Sequence, residues 1–511
     1  MFSQVKSFVL DGLDCKEVEI ETDRSGGLHN FTLVGLPDTA IRESRDRVGA
    51  AIKNSGFKPP YHFGRITVSL APSYLKKTGC GLDLAIAISI LEATNQISPL
   101  KEKVAYLGEL SLDGELRETQ GILSIVIASR QAGYKKFFIP TANAKEANLI
   151  DGIEIIPLRS LGEYISYLKG ELNLKTNAFK LDLPTLQKEK ESFEIDIADI
   201  KGQEKAKRAL LIIAAGGHNL LFSGSPGTGK TFLARALPSI LPSPSLEEQL
   251  EATKIYSVAG LLPMDIPLIM TRPFRSPHHT ASDVALVGGG SKINPGEITL
   301  AHRGVLFLDE ILEFSKKTLD SLRQPLEDGT INISRASGSV TFPAKFILVG
   351  AMNPCPCGYL NDPDRACTCT PSAINRYRQR LSGPIIDRID LFVEIRRVKY
   401  KKIKEGLVGQ TSKEARGLVE VARKIQLKRF KGKNILTNSE MSSKDVEKYC
   451  SLDSQGESFI KKATETYCFS TRSYYRILKI ARTIADLAIK DKIQSEHIAE
   501  ALQYQLKEVG S

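Results

Sequence analysis

The eight residues Gly224-Ser225-Pro226-Gly227-Thr228-Gly229-Lys230-Thr231 constrain this chain more than any other segment. They fit the spacing G-x-x-x-x-G-K-[ST] in full, with apolar Leu220-Leu221-Phe222 before them and a helical stretch, Phe232 to Leu237, after them. A strand that turns through glycines straight into a helix belongs to an α/β layer with a buried parallel sheet. The glycines let the backbone curl until its N–H groups converge, and converging N–H groups at a helix start suit phosphate oxygens. Lys230 is then placed to reach the β- and γ-phosphates of a nucleotide, and Thr231 to hold Mg²⁺. Nucleotide binding is the expectation.

Two further apolar runs end in polar residues. Val305-Leu306-Phe307-Leu308 delivers Asp309 and Glu310, and doubly wound sheets bind ligands at such strand ends. Asp309 can hold Mg²⁺ directly or through water, and Glu310 can polarise an attacking water. The plainer reading of the pair is a cap for the next helix. Phe346 to Met352 ends at Asn353, whose amide could orient the same water or sense the γ-phosphate; its plainer reading is a turn residue. Arg380, Arg388 (within Asp387-Arg388-Ile389-Asp390) and Arg472 are candidates for stabilising charge on a transferring phosphoryl group. Each alone would also serve as a surface ion-pair residue.

At 511 residues the chain has room for about three domains. Residues 1–170 read as mixed α/β, with strands at Ile66–Leu70 and Phe137–Ile139 and helices at Ala40–Asn54 and Leu82–Ala93. A charge-rich stretch, 171–194, reads as a linker. An α/β core follows at 195–398, and 399–511 is helical: Lys413–Phe430, Ser443–Cys450, Glu457–Phe469, Ser473–Lys490 and Ser495–Leu506. From Leu391 onward, twenty-five Lys and Arg face fifteen Asp and Glu, so most of the net charge of +11 lies there. That is either a solvated helical surface or one that meets a polyanion. No apolar run approaches the ~20 residues that span a bilayer, and the first residues lack the layout of a signal peptide, so a cytoplasmic protein with no membrane partner is expected.

Eight cysteines in so long a chain are not a disulfide framework. Four of them cluster: Cys355-Pro356-Cys357 and Cys367-Thr368-Cys369 enclose nine turn-rich residues. Four thiolates on such a loop suit a closed, structural Zn²⁺ site, with free or redox-active thiols as the alternative. Cys15, Cys80, Cys450 and Cys468 are scattered and read as ordinary buried thiols. The neighbours His278 and His279 read as loop packing rather than a metal site, because adjacent side chains point apart on a strand or a helix.

Phosphate loop, Asp-Glu strand, Asn-ended strand, Asp-Arg-Ile-Asp and a helical-region arginine, in this order, resemble an AAA+ ATPase, and Ile200-Lys201-Gly202-Gln203 resembles that family's adenine-contacting segment. Ala214 to Leu221, Arg272 to His279 and Arg380 to Pro384 resemble the magnesium-chelatase-like YifB/ComM family more narrowly, over essentially the whole chain. The resemblance implies an AAA+ core with a parallel sheet and a C-terminal helical lid. It gives Lys230, Thr231, Asp309, Glu310 and Asn353 the usual roles, makes Arg388 a finger acting in trans and Arg472 the lid sensor, and leaves Arg380 open as the finger. It also implies an insertion at Thr271–Leu300 and a β-hairpin at Ile331–Phe346, whose tip residue Arg335 would touch a threaded polymer.

Val34 to Pro37, Leu70 to Pro72, Lys76 to Leu84 and Leu107 to Gly114 resemble the Lon-protease-like domain of the ribosomal-S5 fold. That family's peptidases use a Ser–Lys pair. Gly81 stands where the serine should be and Leu123 where the lysine should be, so no peptidase activity is expected. Such a domain would contact DNA or shape a ring; Lys76-Lys77 could help there, and the plainer reading of the two is a solvated pair. The function implied is an ATP-driven, ring-forming, hexameric motor on single-stranded or branched DNA, as in branch migration; the alternative is a chelatase-type ATPase that remodels a partner protein.

Overall fold

The computed structural model describes residues 2–75, 77, 79, 81–172, 193–263, 266–290, 293–335, 338–398, 409–467 and 469–505. The chain divides into two compact units, Met1–Lys190 with Gln249–Ile269, and Glu191–Glu248 with Met270–Ser511. The boundaries differ from three successive blocks in two ways. Residues 249–269 cluster with the N-terminal unit, and the C-terminal helices share a unit with the sheet that carries the phosphate loop. Most of the expected linker lies outside the described residues.

In the first unit, β1 (Phe2–Asp11) and β2 (Asp14–Ser25) form an antiparallel hairpin. β4 (Arg65–Ala71) pairs with β2 antiparallel and with β3 (Asn30–Val34) in parallel, giving the order β1-β2-β4-β3. Alternation sets the faces: Val18 and Ile20, with Ile66, Val68 and Leu70, are buried, while Glu17, Glu19 and Glu21 take the other side. The helix Asp83–Ala93 is mostly apolar and buried at every position but Glu92. A parallel sheet of β5 (Val104–Tyr106), β8 (Lys136–Pro140) and β9 (Glu154–Leu158) follows, with β6 (Glu109–Leu110) and β7 (Leu116–Arg117) as a short ribbon.

Gly81 and Leu123 both lie in apolar surroundings here. A Cβ at Gly81 would meet Leu107 Cδ1 at 3.2 Å and Thr119 Cγ2 at 3.3 Å, and the Leu123 side chain is fully buried. Lys77 is buried too, its ammonium spent on the carbonyls of Leu70 and Pro72. Lys76 and Cys80 lie outside the described residues.

The second unit is built on five parallel strands in the order β11-β14-β17-β10-β18: Phe274–Arg275, Val305–Leu308, Ile347–Met352, Leu220–Gly224 and Leu391–Ile395. The three central strands read as unbroken apolar runs because both faces of the sheet are covered. Between β11 and β14, β12 (Gly288–Gly289) and β13 (Asn294–Pro295) make a small ribbon. β15 (Thr330–Arg335) and β16 (Gly338–Pro343) form the expected hairpin. Residues 336–337 and the Arg335 side chain lie outside the described residues.

The helices Ser412–Arg429, Ser443–Tyr449, Ser454–Tyr467, Thr471–Leu487 and Ser495–Leu502 complete this unit. Their apolar faces (Val419, Ala422, Ile477, Ile480, Ile484) join the core formed by Leu220, Phe222, Val393 and Ile395. One buried polar knot fixes two of them together. Asp486 accepts from Arg429 at 2.5 and 2.7 Å, from Arg482 at 3.1 Å and from Asn438 at 2.8 Å.

Candidate nucleotide site

β10, inside the sheet, ends at Gly224, where a Cβ would sit 2.4 Å from the Ile395 carbonyl oxygen of β18. Only glycine lets the two strands approach so closely before the chain turns away. Gly227 (φ 75°) and Gly229 (φ 90°) then take left-handed conformations with open space on the side where a Cβ would project. That open, N–H-lined cradle fits phosphate oxygens. Thr228 closes the loop by donating to Ser225 O at 2.9 Å.

Lys230 opens the helix Lys230–Ile240 and is buried. Its ammonium donates to Gly224 O at 2.5 Å, Ser225 O at 3.1 Å and Asn353 Oδ1 at 3.0 Å. Burial lowers its pKa, against the opposing pull of Asp309 and Glu310. Thr231 donates to Asp309 Oδ2 at 2.7 Å, so a hydroxyl and a carboxylate, both hard oxygen donors, meet beside the loop.

Glu310 follows in a left-handed conformation (φ 47°) that turns the chain out of β14, with its side chain half-exposed beside the loop. The Nδ1 of His279 lies 3.6 Å from its carboxylate. His279 in turn lies against His278, ring centroids 4.1 Å apart and tilted by 33°. The expectation that the two imidazoles point apart is therefore corrected. A turn closed by Ala281 N–H to His278 O replaces the strand or helix on which that expectation rested.

The arginines lie elsewhere. Arg388 and Arg472 line a cavity of about 870 Å³ together with Arg272, Arg423, Arg476 and Lys479. Asn219, Gly304, Ile347 and Asp390 also line it, and these stand at the starts of β10, β14, β17 and β18. The phosphate loop, Asp309 and Asn353 stand at the other ends of the same strands. Five residues of β10 at about 3.3 Å each separate the two edges by roughly 16 Å. Arg388 donates to Pro384 O at 2.6 Å and pairs with Glu327, its carbonyl accepts from Asn219 Nδ2 at 2.9 Å, and its Nε is buried with no partner among the described residues. Arg472 is exposed near the start of the helix Thr471–Leu487. Arg380 instead bonds Leu312 O at 3.1 Å and Glu313 at 2.9 Å, beside the turn that follows Glu310.

The four clustered cysteines converge, their sulfur atoms all within 4.8 Å of one another. The Sγ atoms of Cys355, Cys357 and Cys367 are 3.4 to 3.6 Å apart, and the Cys357 N–H points at Cys369 Sγ at 3.3 Å. Backbone N–H groups of Tyr359 and Thr368 lower the Cys357 thiol to about 6. Zn–S bonds of about 2.3 Å in a tetrahedron need sulfurs about 3.8 Å apart, so this donor set fits. Of the scattered cysteines, Cys450 is buried as expected, Cys15 is only half-buried, and Cys468 lies outside the described residues.

Three parts of the chain match descriptions of one protein: subunit ChlI of Mg-chelatase at residues 20–143, magnesium chelatase subunit ChlI at 196–403, and its C-terminal part at 409–505. The competence protein ComM of Haemophilus influenzae is 43% identical over 96% of this chain and 95% of its own. YifB of Escherichia coli is 40% identical over 96% and 95%, and an uncharacterized Mycobacterium tuberculosis protein 41% over 98% and 97%. The chain belongs to the YifB/ComM family.

Membership in the YifB/ComM family makes the second unit an AAA+-type ATPase module. No helix among the described residues is long and apolar enough to cross a membrane. The sequence singled out the candidate residues of the phosphate loop but not what braces them. His279 beside Glu310, Asn353 bonded to Lys230, and the cysteine loop against Pro226 are meetings between distant segments. The paired histidines were the one signal for the first of these.

Proposed function

We propose that this chain is an ATP-hydrolysing, ring-forming motor that acts on DNA in the cytoplasm. The observation that carries the ring is the separation of the arginines from the phosphate loop. Arg388 and Arg472 stand at the sheet edge opposite Lys230, Asp309 and Glu310, so one copy holds the two halves of a site apart. A head-to-tail neighbour would bring its arginines to this chain's phosphates, and a hexamer closes such contacts into a ring. Within one site, the loop N–H groups and Lys230 bind the phosphates, and Thr231 with Asp309 binds Mg²⁺. A cation held there would neutralise charge on the nucleotide's phosphates. Glu310 takes a proton from the attacking water, Asn353 orients that water, and the neighbour's Arg388 and Arg472 stabilise the charge that develops. Cys355, Cys357, Cys367 and Cys369 would hold a structural Zn²⁺.

DNA is supported by the excess of Lys and Arg after Leu391 and by the β15–β16 hairpin, and one full-length relative is named a competence protein. A chelatase-type ATPase that remodels a partner protein is the second reading, favoured by the three magnesium-chelatase matches. ATPase rates measured with and without single-stranded and branched DNA separate the two. Stimulation that weakens steeply with salt is expected; no stimulation and no salt-dependent binding would refute the DNA reading. Glu310→Gln should retain nucleotide and lose turnover, and normal hydrolysis by that variant would remove Glu310 from its role.

A further inference from the structure

The loop with the four cysteines is also a wall of the phosphate loop. It leaves β17 at Asn353, whose amide oxygen accepts from Lys230, and two residues later Cys355 is buried. Gly358, at φ 84°, lies so close to the phosphate loop that a Cβ there would be 2.6 Å from Pro226 Cδ. Asp362 is the third contact. The Ser225 hydroxyl bonds its carboxylate and holds it below its ordinary pKa, helped by the Asp364 N–H at 3.0 Å. Arg397 lies 3.6 Å from the same carboxylate. Pro226 and Ser225 of the phosphate loop therefore rest on Gly358 and Asp362 within the segment 355–369, and Asn353 just before it meets Lys230.

That segment has little else to hold its shape. From Asn353 to the helix Pro371–Arg378 it contains no strand or helix, and between Cys357 and Cys367 most residues are exposed. What converges inside it is the set of four sulfur atoms. Four thiols at that spacing, with N–H groups aimed at two of them, form a closed site for a soft divalent cation. A structural ion supplies folding free energy to the loop that holds it.

We propose that one Zn²⁺ on Cys355, Cys357, Cys367 and Cys369 sets the nucleotide affinity of this chain by fixing the loop against which the phosphate loop rests. The ion touches no nucleotide and takes no part in hydrolysis; it acts through Gly358 and Asp362. The proposal rests on the nucleotide-binding reading of the site, and its test tells the two apart.

Metal content by mass spectrometry and ADP affinity by calorimetry are measured on the full chain, folded state being checked by thermal melting. The wild type should carry one zinc per chain and bind ADP. Cys357→Ser/Cys369→Ser should lose the zinc and bind ADP at least tenfold more weakly. Gly358→Ala leaves all four thiols in place, strains the turn at φ 84° and presses a Cβ on Pro226; it should keep its zinc and still lose affinity by several-fold. Lys230→Ala should lose ADP and keep zinc. A zinc-free cysteine variant that binds ADP within twofold of wild type overturns the proposal, as does a Gly358→Ala variant with wild-type affinity, or a wild type that takes up iron rather than zinc. A zinc-loaded wild type that binds no ADP overturns the nucleotide reading itself, and this proposal with it.

Discussion

Replacing Asn353 by alanine should separate nucleotide binding from hydrolysis. Its amide oxygen is one of three acceptors that hold the buried Lys230 ammonium, beside the carbonyls of Gly224 and Ser225. Phosphate oxygens must displace such acceptors before Lys230 can serve a nucleotide. A hydrogen bond from a charged donor contributes about 1.5–3 kcal/mol. Two carbonyls remain in the variant and water fills part of the gap, so the change in binding is smaller, about 0.7–1.4 kcal/mol. That corresponds to an ADP affinity about three- to tenfold tighter than wild type. The same deletion removes the amide assigned to orient the attacking water, and turnover should fall about a hundredfold. Calorimetric titration with ADP and a steady-state phosphate-release assay on one preparation give both numbers. An affinity tenfold weaker than wild type would refute the reasoning, because Asn353 would then be holding nucleotide rather than competing with it.

Three other outcomes follow from the geometry. Lys230→Ala and Arg388→Ala should each be inactive, yet an equal mixture should recover about a quarter of wild-type ATPase, since a trans finger lets one variant complete the other's site; no recovery would put Arg388 in cis. Asp486→Asn leaves Arg429 and Arg482 facing each other without their shared carboxylate and should destabilise the second unit by about 3–5 kcal/mol in urea unfolding followed by circular dichroism. Glu146 is raised from 4.5 to about 7, chiefly by burial, while its carboxylate accepts from the Leu123 N–H at 3.1 Å. The folded chain therefore keeps this proton after the unfolded chain has lost it, and stability should fall as pH rises from about 4.5 to 7, by about 3 kcal/mol, and then level off. Glu146→Gln should flatten that slope in melting curves, and an unchanged slope would refute the assignment.

The parallel sheet was legible because each of its central strands is a mainly apolar run that leads to a candidate site residue: Gly224, Asp309 and Asn353. The helices after Ser412 were legible for the opposite reason. Their apolar positions recur with helical period, and Thr411 with Glu414 and Ser442 with Asp445 cap them in a pattern visible in sequence. What the sequence could not give is distance across the fold. Nothing local to Cys355 says that Gly358 will meet Pro226, and nothing local to Arg472 says which edge of the sheet it will reach. The histidine pair failed for a related reason: the rule that adjacent side chains diverge holds on regular elements, and residues 278–281 form a turn.

The N-terminal unit is completed by a segment that the ribosome delivers late. The helix Leu246–Ala259 passes from one unit to the other after Glu248, and Ala252, Ile255 and Val258 are buried along it. Its Ser257 carbonyl accepts from the Gly121 N–H, ahead of the helix Ile122–Gln131. A nascent chain of 190 residues thus lacks a piece of its own core. By the time that piece is translated, β10 and the whole phosphate loop are already out. The first unit cannot finish folding and then wait for the second, as successive domains usually do. The two must mature over the same stretch of synthesis, and a fragment ending at residue 190 should bind hydrophobic dyes and aggregate where the full chain does not.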